Sequence, residues 1–190
     1  MISTAYLMQD GIEVEIETIK RAASGDRIAM HTLVTAHSSK IYAVAFRMLS
    51  SAQDAEDVTQ DAFLRLWKIL PKWQPDAELS TRLHRVTLNL CYDRLRKKKP
   101  VLFESPPEQI DQGLRPDQSL QQSQTGQIVS EAISRLAPRQ RAAITLTGLQ
   151  GHSNKEAANM MDIKLAALES LLARARRALK ADLAELKENL

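Results

Sequence analysis

Apolar residues recur at helical spacing along most of the chain, and the clearest case is Asp54–Lys68. Read at about 100° per residue, Val58, Ala62, Phe63, Leu66, Ile69 and Leu70 gather on one arc, with Asp54, Asp57 and Asp61 in a stripe beside it. Ser51, three residues before Asp54, predicts an N-cap, and carboxylates in a first helical turn suit the amide dipoles there. Gln60 and Asp61 carry the polar surface onward, while Leu64 and Trp67 fall outside the apolar arc and are expected to be partly exposed. Carboxylates mixed with an exposed Leu and Trp suit a protein partner.

Upstream, Ile12–Glu17 alternates as a strand would, but Ile12, Ile16, Ile19 and Ala23 also share a helical face, and the continuation favours a helix after a loose start over residues 1–11. Ser24-Gly25-Asp26 stops that helix and caps another. The second helix uses Ile28, Leu33, Val34, Ile41, Val44, Ala45, Met48 and Leu49, with an interruption expected near Ser38-Ser39. After the loop from Pro71 to Leu79, Ser80 or Thr81 is expected to cap a helix through Leu83, Val86, Leu90 and Leu95. Its polar side carries Arg82, Arg85, Asn89, Asp93 and Arg96, and it runs out in Arg94-Leu-Arg96-Lys97-Lys98-Lys99. Such a cluster suits a helix C-terminus and equally a phosphate-contacting surface.

Prolines at 100, 106, 107 and 116 make a continuous helix unfavourable before Pro116 in the connector 100–127. Beyond it the pattern predicts helices over Ile128–Leu136 and from Pro138 to about Gly148, then a short one capped by Ser153 with Glu156 at its third position, a capping box. A tight turn at Asp162-Ile163-Lys164 leads into a last helix over Leu165–Leu183. A capped short helix, a turn and a longer helix make a helix-turn-helix, whose second helix enters the major groove by its N-terminal part. Its outward residues are Lys164, Ala166, Ala167, Glu169, Ser170, Ala173, Arg174, Arg176 and Arg177, and Lys155 on the preceding helix joins them as a candidate contact. Arg and Lys suit guanine edges or phosphates, Glu accepts from cytosine, and Ala leaves room for a thymine methyl.

Composition narrows the class. The 190 residues are 44% hydrophobic but only 4% aromatic, and without a convincing strand pattern the fold class expected is all-α, as two small helical domains. No apolar run approaches the ~20 residues needed to span a bilayer, so no membrane insertion and a cytoplasmic location are expected. The one cysteine, Cys91, excludes an internal disulfide, and the four histidines lack metal-ligand spacing, so neither metal nor cofactor is expected. Residues 1–99 carry 15 Lys and Arg against 12 Asp and Glu, residues 100–127 carry 1 against 4, and residues 128–190 carry 10 against 7. Two mildly basic blocks joined by an acidic connector fit a chain whose blocks both approach nucleic acid.

The string DAEDVTQDAFLRLWK followed by STRLHRVTLNLCYDRLRKKK resembles conserved region 2 of the sigma-70 family, in its extracytoplasmic-function (ECF) group of bacterial RNA polymerase sigma factors. LAPRQRAAITLTGLQGHSNKEAANMMDIKLAALESLLARARRAL is similar to sigma region 4. The resemblance implies region 2 over 12–99, a flexible linker over 100–127 and the region 4 helix-turn-helix over 128–190. It implies core RNA polymerase as partner, through the β′ clamp helices and the β flap, together with promoter DNA and an anti-sigma factor. Asp54, Asp57, Gln60, Asp61, Leu64 and Trp67 then correspond to the surface that docks on the clamp helices. Trp73, Arg85, Asn89, Arg94, Arg96, Lys97 and Lys98 correspond to the minus-10 contacts, where a flipped base needs a stacking pocket. Lys155, Lys164, Glu169, Ser170, Ala173, Arg174, Arg176 and Arg177 correspond to the minus-35 contacts. The linker would thread toward the polymerase active centre and RNA exit, or act as a passive tether.

The resemblance departs at Arg82 and His84, where many relatives carry Trp and Tyr. If those positions pack the domain, stability is at stake; if they face the strand, a stacking surface is lost and promoter melting with it. Two other classes compete: a polymerase-independent helix-turn-helix regulator, and a small hydrolase using the carboxylates of 54–61. The hydrolase lacks a nucleophile-base pair, a Gly-rich phosphate loop or a metal cluster, so no catalytic residue is expected.

Overall fold

The computed structural model describes residues 4–72, 78–98 and 124–188, and the described residues form helices and turns. Helix α1 (Thr4–Ala23) already runs at Thr4, inside the stretch expected to be loose. Gly25, at φ +93°, reverses the chain, and the Asp26 carboxylate accepts from the Ile28 and Ala29 amides to start α2 (Arg27–Leu49). Arg21 pairs with that carboxylate at 2.6 Å and, chiefly through this bond, holds it below the usual range. Helix α2 is continuous through Ser38-Ser39, because Ile41, Val44, Ala45 and Met48 are all buried and bury more if the helix does not break. Ile28, expected inside, is 75% exposed.

Ser50 in the left-handed region ends α2, and the Ser51 hydroxyl accepts from the Asp54 amide to start α3 (Ala52–Ile69). Of the expected arc, Val58, Ala62, Phe63, Leu66 and the following Leu70 lie inside, the larger side chains each contributing about 1.5–3 kcal/mol on burial, whereas Ile69, expected with them at the end of the helix, is 37% exposed. Helix α4 (Leu79–Lys98) starts before the expected caps. Leu79 is 1% exposed, and its burial pulls the first turn back so that Ser80 and Thr81 lie within the helix.

The second group of helices opens with α5 (Gln124–Arg135), four residues earlier than expected. Pro138 sits at the first position of α6 (Pro138–Ile144), where its missing amide costs nothing. The chain then widens into a π-helical turn over Thr145–Leu149, closed by the Gln150 amide on the Thr145 carbonyl. Helix α7 (Asn154–Met160) begins with the expected capping box between Ser153 and Glu156, and α8 (Leu165–Glu188) completes the fold.

These two groups pack directly on one another: α2 meets α5, α6 and the π-helical turn, and α4 meets α6 and α7. Arg141 sits at the junction, 9% exposed, and burial pushes its guanidinium below the usual arginine range. It donates to the Met48 carbonyl at the end of α2 (2.6 Å), to the Leu136 carbonyl (3.3 Å) and to the Ser134 carbonyl. One planar fork thus satisfies acceptors at the ends of two helices.

Cys91 is fully buried on α4, and burial pushes its thiol up to about 12. With almost no thiolate at neutral pH it is a packing residue rather than a reactive one. The native chain is expected to resist alkylation by iodoacetamide at pH 8 and to react at the rate of a free thiol once unfolded in guanidinium. Rapid modification of the native chain would overturn this.

Candidate nucleic-acid and partner interface

Three surfaces come out of this packing. On α3 the acidic stripe is anchored from the neighbouring helix: Arg94 of α4 donates to Asp54 at 2.8 Å and Asp57 at 3.3 Å, with Asp61 at 3.9 Å. The three acids differ in exposure. The Asp54 side chain is 20% exposed and inward, whereas Asp57 and Asp61 keep 53% and 50%, enough to face a partner. Gln60 is exposed beside them and Leu64 is 49% exposed. Trp67 is half-buried, its ring tilted against Phe63 with the centroids 6.0 Å apart. The arrangement is a shallow apolar spot bordered by carboxylates.

On α4 the candidate cations separate. Asn89 and Lys97 are exposed, and Arg96 is too, with an i,i+3 pair to Asp93 at 3.1 Å. Arg94 is committed to the α3 acids instead, which the basic run at the helix end concealed: at 100° per residue it turns toward α3 while Arg96 and Lys97 turn outward. Arg85 donates to the Asn159 carbonyl in the last turn of α7 (2.8 Å) and pairs with Asp162 in the turn that follows (3.0 Å). Trp73 and the side chain of Lys98 lie outside the described residues.

His84 settles one of the departures. At 1% exposed it packs the interior rather than facing a strand. Its Nδ1 lies 2.7 Å from the Ser80 carbonyl, its Nε2 3.0 Å from the Gln150 amide oxygen, and the His152 ring stands edge-on at 5.2 Å. Burial pushes the imidazole below its ordinary range.

The third surface is the helix-turn-helix. Asp162 takes φ +55°, and the Ile163 amide bonds back to the Ala158 carbonyl, which turns the chain sharply between α7 and α8. Leu168, Leu172 and Ala175 bury the inner side of α8. Lys155, Lys164, Glu169, Ser170, Ala173, Arg174, Arg176 and Arg177, the candidate minus-35 contacts, are all exposed. Among the described residues no group of His, Cys, Asp or Glu is placed to hold a metal.

Comparison with known proteins decides the class. Residues 33–101 match the model of sigma-70 region 2, and residues 126–179 match that of sigma-70 region 4. The chain belongs to the sigma-70 family. Within it the similarity is to ECF factors: it is 32% identical to the ECF RNA polymerase sigma factor SigE of Mycolicibacterium smegmatis, over 97% of this chain and 77% of that one. It is 27% identical to SigW of Bacillus subtilis, over 88% and 96% of the two chains. Among solved structures, CnrH in complex with the cytosolic domain of CnrY superposes with a TM-score of 0.67 at 27% identity, covering 88% of this chain and 96% of that one. RpoE of Bartonella quintana in complex with the anti-sigma factor NepR shares the fold, with a TM-score of 0.66 at 24% identity over 81% and 96%. In this ECF sigma factor the α3 and α4 surfaces fall within the region 2 match, and the helix-turn-helix falls within the region 4 match.

Gln150 and Arg141 escaped the sequence reading. Neither sits on a periodic stripe, and a polar side chain that bonds a distant backbone carbonyl leaves no local pattern.

Proposed function

We propose that this ECF sigma factor docks on the β′ clamp helices of core RNA polymerase through Asp57, Gln60, Asp61, Leu64 and Trp67, with Asp54 and Arg94 holding the stripe in place. Arg85, Asn89, Arg96 and Lys97, with Trp73 and Lys98, contact the minus-10 strand, and the exposed side of α8 with Lys155 reads the minus-35 duplex. Region 4 reaches the β flap. Residues 12–99, 100–127 and 128–190 serve as region 2, linker and region 4.

The observation that carries the reading is that both family segments stand in order in one chain, with Asp57, Gln60, Asp61, Leu64, Arg85, Asn89, Arg96, Lys97 and the candidate contacts of α8 at the surface. The chain lends promoter specificity to polymerase and carries out no chemistry of its own. Among the described residues no helix is long and apolar enough to cross a membrane, in keeping with work in the cytoplasm. CnrH is solved with the cytosolic domain of CnrY, and an anti-sigma factor is proposed here by the same likeness.

Two measurements test the proposal. The chain is expected to co-elute with core polymerase on gel filtration. In vitro transcription with core polymerase over a randomised promoter library should then enrich two sequence blocks. Tight duplex binding without co-elution would favour a polymerase-independent regulator instead.

A further inference from the structure

Helix α8 divides its exposed side between two chemistries. Leu168, Leu172 and Ala175 are buried, and away from them, over about the first two and a half turns, the outward arc carries Ala166, Ala167, Glu169, Ser170 and Ala173, all exposed. No cation stands on that arc. Lys164 precedes it, Arg174, Arg176 and Arg177 follow it, and Lys155 flanks it from α7.

Glu169 has no helical reason to be there. The residues three and four positions away are Leu165, Ala166, Leu172 and Ala173, so no side chain along the helix can pair with its carboxylate, and among the described residues no cation from another helix does. It also lies past the first turn, where the amide dipoles favour an acid. Close to phosphates an unpaired carboxylate weakens binding at every sequence, so its place on a DNA-facing arc calls for a donor that compensates.

We propose that Glu169 is the base-selecting residue of the helix-turn-helix: it accepts from the N4 amino group of a cytosine in the minus-35 element, while Lys155, Arg174, Arg176 and Arg177 hold phosphates without reading sequence. The inference rests on the proposed function and names the base that this helix takes. In the major groove guanine shows N7 and O6 and thymine shows O4, all acceptors that repel a carboxylate, whereas the cytosine amino group donates to it. Adenine offers a donor as well, but with its N7 acceptor alongside. The carboxylate therefore selects twice, by bonding cytosine and by rejecting guanine and thymine. Ala166, Ala167 and Ala173 end in methyl groups and leave room for thymine methyls at neighbouring pairs. From Ala166 to Ala173 the helix rises about 10 Å, the reach of roughly three base pairs, so Glu169 reads a single position among them.

The test is a selection from promoter duplexes randomised over the minus-35 block, run with the full chain bound to core polymerase and, in parallel, with the full chain alone at low salt. The parent is expected to enrich cytosine at one position about 5–20-fold over the other bases. Glu169→Gln keeps the shape but turns an acceptor into an amide that suits adenine, so preference at that position alone should move from cytosine to adenine. Its affinity for duplexes lacking the block should rise about 2–5-fold as a repulsive charge is removed. Arg177→Ala should instead weaken binding evenly across sequences and lower the slope of log affinity against log salt by about one, with the selected block unchanged. A parent that enriches no cytosine in the block, or a Glu169→Gln chain that selects the parent's sequence, would overturn the assignment. If the chain does not join polymerase the functional reading fails, while selection by the free chain still decides Glu169; selection of nothing by either form overturns both.

Discussion

Arg141→Met is expected to cost about 3 kcal/mol of stability and to lower the melting temperature by about 9 °C. The substitution keeps most of the volume but strips the Met48, Ser134 and Leu136 carbonyls of their shared donor. Each buried acceptor left unmet costs about 1–3 kcal/mol, partly offset because a charge no longer has to be buried. Arg141→Lys should recover less than half of the loss, since an ammonium on a flexible stem does not reproduce a planar fork. Thermal unfolding followed at 222 nm checks both variants. A fall of less than about 2 °C for Arg141→Met would show that water or a rearranged backbone satisfies those carbonyls instead.

Leu64→Ala is expected to weaken core polymerase binding about 10–30-fold while leaving the fold intact. An apolar anchor at the centre of a desolvated contact carries about 2 kcal/mol when truncated, ringed by polar residues that exclude water. Leu64 is half out of the core, so its loss should move the melting temperature by no more than about 1 °C. Asp61→Ala should act in the same direction and more strongly at low salt, because its side chain is half exposed and its charge is screened by ions. Fluorescence anisotropy titration with core polymerase measures both. Unchanged affinity for Leu64→Ala would move the docking surface off α3.

The contrast between Asp54 and Asp61 shows how far the sequence could be read. Period alone put three acids on one stripe, and all three are there. It did not say that Arg94, four turns into a different helix, would draw Asp54 inward and leave Asp57 and Asp61 for a partner. The start of α4 makes the same point. Ser80 and Thr81 are good caps locally, but burial of Leu79 outweighs the roughly 1 kcal/mol a cap supplies.

By itself the sequence determined the helices, their order, the capping box at Ser153, the side of α8 that faces out, and the family segments. All of these depend on neighbours within about four residues, where period, caps and prolines act. Only the tertiary structure decided that His84 is an interior residue, that Arg94 belongs to the acidic stripe, and that the two regions close on one another through Gln150, Arg85 and Arg141. Those outcomes depend on which backbone carbonyl or carboxylate a long polar side chain meets across a junction, and packing, not local pattern, sets that meeting.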